Sequence, residues 1–354
     1  MATINGTSGN DTRNGTAGAD AIRGLAGNDT LNGKAGNDQV WGGTGLDKLW
    51  GEAGNDTLWG DDGDDFAYGG DGNDLIHGGN GNDTLYGDAG TDTIWGDAGN
   101  DILKGGTGIS RLDGGTGNDS LYYDPTSDNI SNVGNYLSST ALNGGSNYDT
   151  LNIVNNAKYT VGGVTRPAMT EVIIDEYGDD HLYFEGPNWS DPFINVGSFK
   201  NIEKITVSGA GGLDFFGSTG GGDGVNITGT STLDYFSSSY AIDTMTGGAG
   251  NDVFYLEEGA GMDRIISETN DADSFHFDVL DGSAANITGF NGAGAPGGDR
   301  IYIDNIDGLG IDNPRQHLTI TTSGGTSTLH FDDRVEVRVD KVGLVENVDY
   351  FFVL

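Results

Sequence analysis

Gly78-Gly79-Asn80-Gly81-Asn82-Asp83-Thr84-Leu85-Tyr86 is one copy of a nine-residue phrase that fills the chain from Asn5 to Tyr122. The phrase reads Gly-x-x-Gly-x-Asp-x-apolar-x and occurs thirteen times without insertion or slip. Its aspartates fall at Asp11, Asp20, Asp29, Asp38, Asp47, Asp56, Asp65, Asp74, Asp83, Asp92 and Asp101; Ser110 interrupts the series and Asp119 resumes it. Two residues after each comes an apolar slot, from Ile22 and Leu31 through to Leu112 and Leu121, with Arg13 in the first.

A period of nine fits neither a 3.6-residue helix nor an isolated hairpin and reads as a solenoid. The phrase divides into a six-residue turn and a three-residue strand such as Thr30-Leu31-Asn32. Two glycines per turn supply the positive φ of a tight loop. One inward apolar residue per strand is too little core for a repeat to fold alone, so stacked repeats must share it. Successive strands reverse direction, which places repeats n and n+2 side by side, 18 residues apart. The expectation is a flattened right-handed coil of two parallel sheets, with about six or seven strands per sheet at about 4.8 Å spacing.

The phrase resembles the nonapeptide G-G-x-G-x-D-x-U-x of the RTX family of secreted calcium-binding proteins, and Gly78–Tyr86 is a full copy of it. The resemblance covers about a third of the chain. It implies a calcium-binding β-roll over residues 1–123.

The carboxylates argue for the same chemistry. Coiling at 18 residues per turn sends Asp11, Asp29, Asp47, Asp65, Asp83, Asp101 and Asp119 to one edge, and Asp20, Asp38, Asp56, Asp74 and Asp92 to the other. Stacked carboxylates repel unless a cation lies between them. Calcium takes six to eight hard oxygens in flexible geometry, which aspartates and glycine carbonyls supply; magnesium releases its waters reluctantly. The phrase offers no thiolate or imidazole set for a softer metal. Gaps with an aspartate on both sides number about ten, and the Asp92–Ser110 gap is expected to be weak or empty.

The formal charge is −38, from 54 acidic against 16 basic residues. This makes nucleic acid and anionic membrane poor partners. So acidic a chain is expected to stay loose without metal, which makes calcium binding part of the folding free energy. Extracellular modules bind calcium at about 0.1–1 mM, so folding is expected outside the cell. There is no cysteine, so metal and not disulfide is the staple. Met1-Ala2-Thr3-Ile4-Asn5-Gly6 has no signal-peptide character. No run approaches transmembrane length. Asp349-Tyr350-Phe351-Phe352-Val353-Leu354 resembles the uncleaved C-terminal signal of RTX proteins exported by type I secretion machinery, and also reads as a final buried strand.

The last position of the phrase carries Trp41, Trp50, Trp59, Tyr68, His77, Tyr86, Trp95 and Tyr122, interrupted by Lys104 and Asp113. Alternation along a strand points these rings outward, in ladders Trp41-Trp59-His77-Trp95 and Trp50-Tyr68-Tyr86 with Tyr122. They read as strand-stabilising neighbours or as a contact surface for a subunit, a later domain or sugar rings.

After Tyr123 the period stops. Residues 124–245 read as a β-rich middle domain: an Asn- and Ser-rich stretch over Asp128–Leu142, one stray copy of the phrase containing Asp149, then short strands at Leu151–Val154, Glu171–Ile174, His181–Glu185, Ile202–Val207 and Val225–Thr228. The run Phe199–Val207 resembles repeats preceding the RTX block in some bacterial S-layer proteins. Residues 246–354 restart the phrase at Gly247–Phe254 and echo it at Gly259–Ile265, resembling a C-terminal RTX β-roll cap. Its strands are expected near Asp299–Asp304, Leu318–Thr322, Thr328–Phe331, Val335–Val339 and Tyr350–Leu354. Asp149, Asp252 and Asp263 are expected as further calcium ligands. The fold class is all-β throughout.

No His-Glu-x-x-His or Gly-x-Ser-x-Gly motif occurs, which speaks against the protease and lipase pairings of such rolls. The five histidines, His77, His181, His276, His317 and His330, never fall at metal-ligand spacing. Asp179-Asp180-His181-Leu182-Tyr183 is the best polar cluster of the middle region and reads foremost as an ordinary exposed strand. The expectation is no enzyme, but a calcium-assembled structural protein of the bacterial surface, an S-layer or matrix component. The alternatives are a calcium-dependent adhesin binding cell-surface glycan, and a polysaccharide-active enzyme with its site in residues 145–245.

Overall fold

The structure, a computed structural model, describes residues 1–108, 110–123, 142–146, 150–155, 158–161, 164–167, 169–173, 180–185, 194–200, 204–209, 213–216, 226–238, 243–256, 262–267, 271–278, 284–290, 298–304, 318–331, 335–340, 344 and 350–352. Among them every regular element is a strand, so the chain is all-β as its period requires. No helix of the described residues is long and apolar enough to cross a membrane. The chain forms two compact units, Met1–Ala157 with Ile194–Lys204, and Lys158–Phe193 with Ile205–Leu354.

In the first unit the chain winds between two parallel sheets. Ala2–Asn5, Asp20–Ala26, Gln39–Thr44, Thr57–Asp62, Leu75–Asn80, Thr93–Ala98 and Arg111–Thr116 pair in that order. Thr12–Asn14, Thr30–Ala35, Lys48–Ala53, Phe66–Asp71, Thr84–Ala89, Ile102–Lys104 and Ser120–Tyr123 make the other sheet. The register is the expected one: Leu31 faces Leu49, which faces Ala67. The twelve apolar slots from Ile22 to Leu121 are at most 1% exposed, and they form one continuous core stripe. Leu142–Ser146 and Thr150–Asn155 add one strand to each sheet.

The division into strand and turn differs from the expectation. Strands such as Thr30–Ala35 run six residues, not three. Pairing continues past the first glycine of the phrase, with Lys34 opposite Glu52 and Ala35 opposite Ala53, so only about three residues are left to turn. The two glycines also divide their labour. The second takes the left-handed backbone, as at Gly36 with φ 115°. The first does not: a methyl group on Gly42 would lie 2.5 Å from Asp47 Oδ2 and 2.6 Å from the Gly60 carbonyl oxygen. Its requirement is space, and the left-handed residue beside it bears a side chain at Leu25, Lys34, Glu52, Asp61, Asp88 and Asp97.

The second unit repeats the device with longer coils and a bulkier core. Leu213–Phe216, Tyr235–Ser237, Val253–Leu256, Ser274–Asp278, Arg300–Asp304 and Tyr350–Phe352 form one parallel series. Asn226–Thr228, Thr244–Thr246, Asp263–Ile266, Ala284–Thr288 and Val335–Val339 form another. Thr326–Phe331 and Leu318–Ser323 then extend the second series antiparallel. Phenylalanine replaces leucine inside: Phe236, Phe254 and Phe275 stack at centroid distances of 4.8 and 5.1 Å. Met169–Ile173 pairs antiparallel with Asp180–Glu185, placing Glu171 opposite Tyr183 and Ile173 opposite His181. The stretch 124–141, the stray aspartate Asp149, Asp179, Asp349 and the last two residues lie outside the described residues.

Candidate metal centre

Each aspartate of the phrase sits two residues before an inward apolar residue, so the same alternation that buries the leucine carries its carboxylate to the inside of the turn. Asp20 through Asp101 are at most 3% exposed, as is Asp119. The two oxygens of each carboxylate then do different things. Oδ1 accepts the backbone N–H of the aspartate one coil earlier: Asp47 from Asp29, Asp65 from Asp47 and Asp83 from Asp65, all at 2.7 Å. The other edge repeats this, with Asp56 accepting from Asp38 at 2.6 Å and Asp74 from Asp56 at 2.7 Å. Oδ2 is buried without a hydrogen-bond partner at Asp29, Asp38, Asp47, Asp56, Asp65, Asp74, Asp83 and Asp101.

A buried carboxylate oxygen with no partner is costly, and the proton affinities carry the strain. Burial pushes Asp65 and Asp101 up to about 8 and Asp74 to about 7, and holds Asp47, Asp56, Asp83, Asp92 and Asp119 near 6. Beside the orphaned oxygen stands the next coil's glycine carbonyl, as with Asp47 Oδ2 and Gly60 at Gly42. Hard oxygens from two coils, with no nitrogen or sulfur among them, are the donor set calcium accepts.

The ends of the ladder are closed differently. Asp11 and Asp20 were expected as ligands like the rest, and their Oδ2 atoms are already satisfied. Thr16 donates its N–H and hydroxyl to Asp20 Oδ2 at 2.6 and 2.8 Å, and Thr7 does the same to Asp11 at 2.5 and 2.8 Å. Those bonds lower both carboxyls, the opposite direction to the interior of the ladder. At the break, Ser110 Oγ accepts the Asp92 N–H at 3.1 Å and donates to Asp92 Oδ2 at 3.4 Å. A hydroxyl there takes the place of a carboxylate.

In the second unit Asp252 and Asp263 are buried and take up the same bond, from the N–H of Asp234 and Asp243 at 2.9 Å each. Residues not singled out from the sequence join them: Asp234, Asp243, Asp273 and Asp299 are all buried. The signal that could have found them is the tripeptide Asp-x-apolar, kept in Asp234–Phe236, Asp243–Met245, Asp273–Phe275 and Asp299–Ile301 after the nine-residue period is lost.

Both aromatic ladders form as expected. Trp41 and Trp59 stack at 4.8 Å, Trp59 and His77 at 6.5 Å, and His77 and Trp95 at 4.5 Å. On the other sheet Trp50, Tyr68 and Tyr86 stack at 5.7 and 4.7 Å, and the Lys104 ammonium lies between Tyr86 and Tyr122. The Arg23 guanidinium covers the end face of Trp41 at 4.3 Å. Ring faces meet neighbouring rings, and each of these residues is half-buried.

The profile of the RTX calcium-binding nonapeptide repeat (4 copies) matches residues 5–40, 33–67, 41–76, 68–103, 95–130 and 228–262. The chain carries RTX calcium-binding repeats. Both the regular coils of the first unit and the coil bearing Asp234 and Asp252 fall within those matches, so the RTX repeats are calcium-binding repeats present in both units. Among solved structures, the extracellular lipase LipA from Serratia marcescens aligns at 17% identity and a TM-score of 0.24. That alignment covers 82% of this RTX-repeat chain and 43% of the lipase chain. No curated protein matches the chain.

Proposed function

We propose that this chain is a secreted structural protein of the bacterial surface, an S-layer or matrix component that winds up and assembles on extracellular calcium. The observation that carries the reading is the column of buried aspartates whose Oδ2 atoms lack partners, one per coil on each edge. About ten calcium ions bridging successive coils would satisfy them. Asp29 to Asp101 then act as ligands between coils, with Asp119, Asp252 and Asp263 continuing the ladders. The same Asp-to-backbone stapling recurs in both units, which supports a structural role for it. An acidic chain held open by its own charge in a calcium-poor cytosol would suit export before folding, by type I secretion machinery.

A calcium-dependent adhesin that binds cell-surface glycan is the second reading, favoured by the aromatic ladders. Sugars stack on ring faces, and here those faces meet other rings 4.5–6.5 Å away, which favours the ladders as strand-stabilising elements. A polysaccharide-active enzyme would place His181 and Tyr183 of the strand Asp180–Glu185 at its site. Electron microscopy of the purified chain with millimolar calcium and with chelator separates the three. Sheets or filaments that dissolve in chelator support the structural role. Monomers retained on a glycan array would replace it with the adhesin, and cleavage of an acidic polysaccharide with the enzyme.

A further inference from the structure

The second unit carries a hairpin that lies outside every RTX match. Thr326–Phe331 pairs with Val335–Val339 on one side and with Leu318–Ser323 on the other. Gly324 and Gly325, at φ 63° and 94°, make the turn between the two hairpin strands. Leu318–Ser323 is the last strand of its sheet, and among the described residues nothing pairs with its far side. Thr319, Thr321, Thr322 and Ser323 are exposed, while Leu318 and Ile320 are half-buried.

The register of the hairpin fixes which backbone groups are open. Ser323 faces Thr326 across the tight turn, so that pair exchanges both hydrogen bonds, as do Thr321 with Thr328 and Thr319 with His330. Leu318, Ile320 and Thr322 therefore turn their N–H and C=O groups to the open edge. Such an edge is a template for another strand, and proteins usually guard it with charge. The first unit does so at its N-terminal end, where Arg13 donates to the carbonyl oxygens of Asn5 and Thr12 at 3.1 and 3.2 Å. Leu318–Ser323 has no charged residue and no proline, and its register against Thr326–Phe331 is unbroken. Of the 354 residues 54 are acidic, yet none lies between Asp312 and Asp332. Two copies carrying a formal −38 each repel, and an acid-free edge lets them approach.

We propose that Leu318–Ser323 pairs antiparallel with the same strand of a second copy, joining two molecules edge to edge across a two-fold axis. A two-fold contact must be self-complementary. This strand meets that demand: the half-buried face of Leu318 and Ile320 continues into its equal, as does the exposed face of Thr319 and Thr321. Six residues at about 3.4 Å each span about 20 Å, which is small for an interface. A single contact is therefore weak and gains its effect by repetition in an assembly. The proposal rests on the assembly reading above only for its purpose, since a dimer in solution needs no lattice.

The test is sedimentation velocity of the full chain in millimolar calcium at tens of micromolar, as wild type, as Thr319→Glu/Thr321→Glu and as Thr319→Lys/Thr321→Lys. Both side chains are exposed, so the hairpin keeps its core. Wild type is expected to dimerise. Each double variant sets like charges on facing strands and should weaken self-association by at least about tenfold. An equimolar mixture of the two should recover a dimer, which neither misfolding nor a contact elsewhere would give. Should either variant fail to fold, Thr322→Pro takes its place: it removes one N–H from the open edge and no backbone bond of the hairpin, and should weaken the dimer likewise. A monomeric wild type, or variants that dimerise as it does, would overturn the contact. Wild-type dimers that form no sheets or filaments would support the contact and remove the lattice. Sheets formed equally by the Glu variant would do the reverse.

Discussion

Asp65 accepts the backbone N–H of Asp47 through Oδ1 at 2.7 Å and keeps Oδ2 buried with no hydrogen-bond partner. One carboxylate thus both staples two coils and holds an uncompensated charge between them. The consequence for pH follows from the direction of the shifts. An aspartate in the unfolded chain titrates near 3.9, while burial raises Asp65 and Asp101 to about 8 and Asp74 to about 7 in the coil. The metal-free folded state then binds more protons than the unfolded chain, so its stability falls as pH rises from about 4 through about 8. In chelator, circular dichroism should show β structure increasing as pH drops from 8 to 5. Millimolar calcium should flatten that dependence. A metal-free chain that gains structure as pH rises would contradict the account.

Asp65→Asn separates the two oxygens' roles. The amide oxygen still accepts from Asp47, while the charge at Oδ2 is lost. The variant should fold more readily than wild type in chelator, because a repulsive buried charge is gone. With calcium it should be less stable, by about 1–3 kcal/mol as for other buried polar groups left mispaired, and should bind fewer ions. Urea titrations in both conditions give the two signs; the same sign in both would mean that Asp65 holds no cation.

Ser110→Asp is the reverse experiment. Ser110 Oγ already lies 3.1 Å from the Asp92 N–H, the position that a carboxylate Oδ1 takes elsewhere. Restoring the aspartate should add calcium to the gap at Asp92, raising the bound number by at least one. It should also make the metal-free chain less stable above pH 6. An unchanged ion count by calorimetry would show that the gap is closed for another reason.

The first unit was legible almost residue by residue, because a nine-residue period with a single apolar slot admits one way of burying Leu31, Leu49 and their equivalents. Hidden from it were features that depend on the neighbouring coil. The cap on Asp20 is the exception, a local one: Thr16 stands four residues before it where Asp38 has Lys34, at a position the phrase leaves variable. The steric role of Gly42 appears only when Asp47 and Gly60 converge on it. In the second unit, Asp273 and Asp299 escape any periodic search because insertions lengthen their coils to 21 and 26 residues. Their Asp-x-apolar context survives, but without a period it is too short to recognise.

Gly42→Ala tests the steric half of the phrase. The added methyl would meet Asp47 Oδ2 and the Gly60 carbonyl oxygen at 2.5 and 2.6 Å, inside the contact limit for carbon and oxygen. Backbone on one side and a stapled carboxylate on the other leave little room to yield, so about 1–3 kcal/mol of stability should be lost. Calcium affinity should fall with it. Ala35→Gly, at the end of a strand of the other sheet, should cost less than about 1 kcal/mol. Comparable losses at both positions by thermal melting would mean that backbone entropy, and not crowding at the carboxylate, is being measured.

Trp59→Ser asks what the outer ladder does. Trp59 stacks within 3° of parallel on Trp41 and within 7° of parallel on His77, at 4.8 and 6.5 Å. Stacked pairs contribute about 0.5–1.5 kcal/mol each beyond the area they bury. Removing the central ring breaks both pairs, so the calcium concentration needed to fold the first unit should rise several-fold while the number of ions bound stays the same. Assembly seen by electron microscopy should survive once calcium is raised to compensate. Loss of assembly with an unshifted calcium midpoint would instead make the ladder an intermolecular contact, with its ring edges as the surface that a neighbouring molecule covers.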